Sequence, residues 1–124
     1  MKKISFLLFA LVGCFSMSMA QAPAKGGVQN VVINTPTVQC EQCKARIEKY
    51  LSHEEGILKV EVDYKKKVTK VRFLTDRTNI ENVKTLIANA GYDADDITAE
   101  PDSYKRLPIC CKKPEDGGGH PKTN

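Results

Sequence analysis

Cys40 and Cys43 lie where an apolar stretch, Val28 to Val38, gives way to a helix-like run opening at Glu41. A Cys-x-x-Cys at a helix N-terminus presents two thiols from a single turn. The unpaired N–H groups and positive end of the helix favour their deprotonated form. Two chemistries suit such a pair: coordination of a soft metal ion and thiol–disulfide exchange. Two sulfurs converging at roughly 2.3 Å each suit ions that accept low coordination, namely Cu(I), Ag(I) or Hg(II). Zinc prefers four ligands, and hard cations prefer oxygen.

Two more thiols, Cys110 and Cys111, stand near the end of the chain. Three roles stay open for them. They complete a three- or four-sulfur site as auxiliary ligands, they form disulfides with the Cys40/Cys43 pair or between chains, or they make a separate exposed thiol site that hands metal over. A pair with no role is the remaining reading. His53 and His120 read as solvated, and Glu41 and Gln42 as exposed.

The elements that must position these groups follow from periodicity. Val28 to Thr35 is β-rich, with Val31 and Ile33 on one face, and Pro36 ends its pairing. Cys43, Ile47, Tyr50 and Leu51 recur at helical spacing over Glu41 to His53, and Gly56 is the stop. Ile57 to Tyr64 predicts a second strand, with Val60, Val62 and Tyr64 on one face. Beyond a solvated Lys65-Lys66-Lys67 turn, Thr69, Val71 and Phe73 mark a third. Thr78 to Glu81 has the form of a capping box. It opens a helix that buries Ile80, Val83, Leu86 or Ile87, and Ala90, and Gly91 closes it. Tyr92 to Ala99 predicts a fourth strand. The order βαββαβ within about 70 residues is that of an α+β, ferredoxin-like sandwich, a four-stranded antiparallel sheet with two helices on one face.

Around this unit, residues 1–20 form a signal peptide. Lys2 and Lys3 are its basic n-region, Ile4 to Phe15 its apolar core, and Ser18-Met19-Ala20 its cleavage site. Leu11-Val12-Gly13-Cys14 resembles a lipobox, so a lipoprotein anchored through Cys14 is the alternative. Export to the periplasm without stable membrane insertion is the expectation. Residues 21–27 are a flexible leader, 28–99 the domain, and 100–124 a flexible tail in which Pro101, Pro108, Pro114 and Gly117-Gly118-Gly119 argue against further packed elements. Removing Lys2 and Lys3 leaves 17 basic against 15 acidic side chains. Such a balance, with no aromatic-laced basic face, argues against a nucleic-acid partner.

With the domain in place, the tail thiols fall within range of the site. The fourth strand would carry the chain away from the Cys pair by about 17–20 Å, but the following ten or so residues reach roughly 30–35 Å when extended.

Pro36 through Cys43 (PTVQCEQC), Ile47 and Leu51, Gly56 through Val62, Phe73, and Gly91 through Ala94 together resemble the heavy-metal-associated domain family. That family includes copper metallochaperones, the N-terminal modules of copper-transporting ATPases and periplasmic mercuric-ion-binding proteins. The resemblance covers Val28 to about Ala99. It implies that Cys40 and Cys43 are the metal ligands and that Tyr92 lies beside the site. In the family, methionine usually stands two residues before the first cysteine and packs under the loop, and glycine often precedes it. Here those positions are Val38 and Thr37.

The function expected is an exported, non-enzymatic carrier. It captures a thiophilic ion, Cu(I) first and Hg(II), Ag(I) or Zn(II) after it, between Cys40 and Cys43. It passes the ion by thiolate exchange to a metal-transporting membrane protein or another metal-binding domain. A monomer is expected, with a metal- or disulfide-bridged dimer as the alternative. The main rival is a periplasmic thiol–disulfide oxidoreductase built on the same pair, which would lack an obvious general base. A zinc-stabilised module is the second rival, disfavoured because adjacent cysteines fit one tetrahedral ion poorly.

Overall fold

The computed structural model describes residues 26–119. The expected signal peptide, Cys14, most of the expected leader and His120 lie outside them. The elements are β1 (Val28–Asn34), α1 (Glu41–Ser52), β2 (Ile57–Asp63), β3 (Val68–Leu74), α2 (Ile80–Asn89) and α3 (Pro101–Lys105). Two 3₁₀ turns follow, at Ile109–Cys111 and Pro114–Asp116.

β3 is the central strand of an antiparallel sheet ordered β1-β3-β2. Its register pairs Val31 with Val71 and Ile33 with Thr69 on one side, and Val71 with Val60 and Thr69 with Val62 on the other. Because side chains alternate across a strand, this register puts Ile33, Val62, Thr69, Val71 and Phe73 on the covered face, where all are buried. Thr69 is tolerated there because its hydroxyl lies 3.0 Å from that of Thr35, so the two buried hydroxyls satisfy each other. Cys43, Ile47 and Leu51 of α1 and Val83 and Ile87 of α2 complete the core. Tyr50, expected on the inner face of α1, is instead 41% exposed.

The N-cap of α2 is Asn79 rather than Thr78. Its side chain accepts from the Asn82 N–H at 2.9 Å, which starts the helix one residue later. At its other end Gly91 has φ +105°, a left-handed C′ position that a residue with a Cβ would strain.

The expected fourth strand is absent among the described residues, and the sheet has three strands. Residues 92–99 keep only an isolated Ala94–Ile97 bridge. Asp93-Ala94-Asp95-Asp96 turns instead of extending: Asp95 is left-handed at φ +51°, and the Asp93 carboxylate accepts from the Ala99 N–H. Aspartates favour such turns because their short side chains bond to nearby backbone. The turn holds to the end of β1 through Asn34 N–H to Asp95 Oδ1 and Asp95 N–H to the Asn34 carbonyl, both 2.8 Å.

Beyond Glu100 the expectation of an unpacked tail also gives way. Pro101 is no breaker here; it occupies the start of α3, where its missing N–H costs nothing. Glu100 caps that helix, its carboxylate accepting from the Asp102 and Ser103 N–H groups. Its own N–H bonds to the Ala88 carbonyl at the end of α2. Leu107 is buried against Gly91, whose missing side chain would lie 3.1 Å from the leucine's carbons. The Tyr104 hydroxyl accepts from the Lys113 N–H and donates to Asp116, which folds the segment onto itself.

Candidate metal centre

Cys40 is the N-cap residue of α1, in extended backbone at φ −152°, and Cys43 sits in the first helical turn. This geometry brings their sulfurs to 3.3 Å. Glu41 and Gln42, between them, point out as expected. Beneath the loop Val38 is fully buried, and the Thr37 hydroxyl accepts from the Asp93 N–H. The two positions that depart from the family pattern are thus packing and bracing residues here.

The returning segment covers this loop. The 3₁₀ turn at Ile109–Cys111 sets the Cys110 and Cys111 sulfurs 4.0 Å apart. Those two sulfurs and that of Cys40 all lie within 4.8 Å of one another. Cys40 Sγ also approaches the Cys110 carbonyl at 3.8 Å, and the Cys110 thiol donates to Gln42 Oε1 at 3.1 Å. The Gln39 side-chain amide donates to the Lys112 carbonyl, and the Lys113 ammonium stands 3.7 Å from Asp93. As a result Cys40 is only 4% exposed and Cys43 and Cys111 are fully buried, while Cys110 remains partly open. The four sulfurs therefore form one cluster. Of the three roles open for Cys110 and Cys111, the separate exposed site is not what the structure shows.

Electrostatics divide the sulfurs. The neighbouring Cys111 thiol, helped by N–H groups of the turn, outweighs burial and brings Cys43 down to about 5. Cys111 is correspondingly held far above the ordinary thiol range, by its nearness to Cys43 and by burial. Burial also raises Cys40. One thiolate among protonated neighbours is what a buried cluster can hold before an ion supplies positive charge.

Tyr92 completes the surroundings. It is fully buried, and among the described residues its hydroxyl has no hydrogen-bond partner. Burial, together with the Cys111 and Cys43 sulfurs nearby, pushes its phenol well above the usual range. A thiolate at Cys111, protonated until an ion supplies positive charge, would accept from this hydroxyl, so the donor set and the orphaned O–H both fit a soft cation bound by sulfur.

His53 takes no part. It lines a surface groove of about 530 Å³ with Arg46, Tyr50 and Arg106, and no cysteine borders that groove.

Gln39 and Leu107 are not singled out by the sequence, and Gln42 reads there only as exposed. A signal existed for Leu107: Glu-Pro-Asp-Ser at 100–103 has the composition of a helix start, with an acidic cap and proline in the first turn. The two glutamines carried none.

The heavy-metal-associated domain model matches residues 32–93. The mercuric transport protein periplasmic component of Shigella flexneri is 29% identical over 82 residues, covering 66% of this chain and 90% of that protein. The copper chaperone CopZ of Staphylococcus haemolyticus is 33% identical over 64 residues, covering 52% of this chain and 94% of its own length. Among solved structures, oxidised MerP from Ralstonia metallidurans CH34 superposes with a TM-score of 0.53 at 28% identity, over 56% of this chain and 96% of MerP. The matched family segment ends before Cys110 and Cys111, so the returning segment lies outside it. With its Cys-x-x-Cys turn between β1 and α1 and half its length matched by the family model, the chain belongs to the heavy-metal-associated domain family.

Proposed function

We propose that this protein is an exported carrier that captures a thiophilic ion, Cu(I) or Hg(II), between Cys40 and Cys43 and releases it to a partner by ligand exchange. The observation that carries the reading is the pair of sulfurs 3.3 Å apart at the start of α1, with Cys43 poised as a thiolate. A bound ion would be linked to both sulfurs. An incoming partner thiol loses its proton to water and forms a metal–sulfur bond, giving a three-coordinate intermediate. The bond to Cys40 then breaks, and that sulfur takes up a proton; a second partner thiol, losing its proton to water, replaces Cys43 in the same way and frees the ion from this chain. The oxidation state of the ion never changes. Cys40 is the natural leaving group because burial favours its protonated form, whereas Cys43 is stabilised as the anion.

The names of the relatives support a role in metal transport, and the mercuric proteins' description as periplasmic components supports export. Among the described residues no helix is long and apolar enough to cross a membrane. The partner fitting this chemistry is a membrane transporter or another metal-binding domain that presents thiols. Nothing in the comparisons favours the oxidoreductase alternative.

An anaerobic titration of the reduced chain with Cu(I), and separately with Hg(II), against a competing chelator tests the reading. One ion should bind tightly per chain and be lost in Cys40→Ser/Cys43→Ser. Unchanged binding in that variant would refute it, and the relative affinities for the two ions decide which is the cargo.

A further inference from the structure

A two-sulfur carrier leaves Cys110, Cys111 and the segment that folds them over the loop without a task. The family match ends before them. Yet the segment has a capped helix, a buried leucine anchor, the Gln39–Lys112 bond and the Lys113–Asp93 ion pair. Each feature brings the two thiols to the same place. That place lies within 4.8 Å of Cys40 Sγ.

We propose that Cys110 and Cys111 enter the coordination sphere of the ion, making residues 101–119 an intramolecular lid over a site of at least three sulfurs. This rests on the reading of Cys40 and Cys43 as ligands. The distances support it. Three thiolates around one ion at roughly 2.3 Å stand about 4.0 Å apart. Cys110 and Cys111 are already 4.0 Å apart and both lie within 4.8 Å of Cys40, while the Cys40–Cys43 pair, at 3.3 Å, must open to admit an ion. Gln42, on the outer side of the loop, accepts from the Cys110 thiol and so tethers it at the rim of the site. The buried Tyr92 hydroxyl, lacking any partner among the described residues, stands beside Cys111 and gains an acceptor when that sulfur binds the ion as a thiolate.

The lid takes the position that a partner's thiolate must reach. On closure a tail thiol loses its proton to water and bonds to the ion. On transfer that bond breaks, the sulfur is reprotonated, and the partner's sulfur replaces it. The tail therefore holds the ion in cis and makes release depend on displacing the lid.

The test is metal-edge X-ray absorption on the reduced chain carrying one equivalent of Hg(II), and separately of Cu(I). At least three sulfur neighbours are expected in the unaltered chain and two in Cys110→Ser/Cys111→Ser. The variant should also lose the ion to a chelator about 100-fold more readily, since a tethered ligand acts at high effective concentration. Two sulfurs in the unaltered chain overturn the proposal, and that spectrum is independent of how well the variant folds. The control Cys40→Ser/Cys43→Ser separates the two readings: if it binds as tightly as the unaltered chain, the site itself is misassigned and both fall.

Discussion

Leu107 is the peg that holds the returning segment, and Leu107→Ala isolates its contribution. The residue is 4% exposed and packs into the space left by the absent side chain of Gly91. Truncating a buried leucine costs about 2–5 kcal/mol. The low end applies here, because the segment can lift away rather than leave a sealed cavity. Leu107 and Cys111 adjoin the same buried cluster, but its larger members Ile33, Ile47, Leu51, Phe73, Val83 and Ile87 belong to other elements. The loss should therefore appear as local opening of 101–119 with the domain intact. Closure weakened by about 2–3 kcal/mol raises the open population roughly 30- to 150-fold. Cys111, fully buried in the closed form, reports that population through its alkylation rate in the reduced, metal-free chain. The reagent is kept dilute so that closing outpaces reaction. The expected result is alkylation of Cys111 faster by that factor, with little change in the thermal transition of the sheet and helices. An unchanged rate would show that Leu107 does not hold the segment. A global loss of stability as large as the local one would show that the segment is part of the core's cooperative unit.

Other consequences can be checked alongside. Glu100→Ala removes the cap of α3 and should weaken docking of the segment by about 1 kcal/mol, giving roughly fivefold faster alkylation of Cys111. Tyr92→Phe deletes a buried hydroxyl that lacks a partner among the described residues, so denaturation should find the metal-free chain unchanged or up to about 1 kcal/mol more stable. Chelator competition should find the loaded form of that variant weakened, by about tenfold if the lost bond to a thiolate is worth about 1.5 kcal/mol. The Cys43 thiolate should appear in ultraviolet absorbance with a midpoint near pH 5, and Cys111→Ala, which removes the largest cause of that depression, should move it well upward. Because the folded value lies below the unfolded one of about 8.5, the stabilisation from Cys43 is present above pH ~8.5 and lost as pH falls toward 5. Cys111, raised instead, contributes below that same value and loses its contribution as pH rises beyond it, so the metal-free chain should be most stable near pH 8–9.

Much of this molecule was legible along the chain because the signals are local. Alternation in Val31 and Ile33 and in Thr69, Val71 and Phe73 marked strands whose inner faces are covered as expected, Val31 partly buried and the other four buried. The helical spacing of Cys43, Ile47 and Leu51 located α1, and with it the turn that carries both cysteines. A Cys-x-x-Cys at a strand-to-helix junction needs only neighbouring residues to bring its sulfurs together. The fourth strand failed for the opposite reason. Whether Tyr92 to Ala99 extends beside β1 depends on competition between sheet pairing and the bonds that Asp93 and Asp95 make to nearby backbone, and the aspartates won. The tail was misread because proline stops a helix from within but starts one at its first turn, and only the capping contacts of Glu100 distinguish the two. Sequence by itself determined the two cysteines of the loop, the elements that carry them and the reach of the tail. Tertiary structure alone decided that Cys110 and Cys111 are brought against Cys40, because that depends on Leu107 finding Gly91 and on Gln39 finding Lys112. These are contacts between residues far apart in the chain, and no local pattern encodes them.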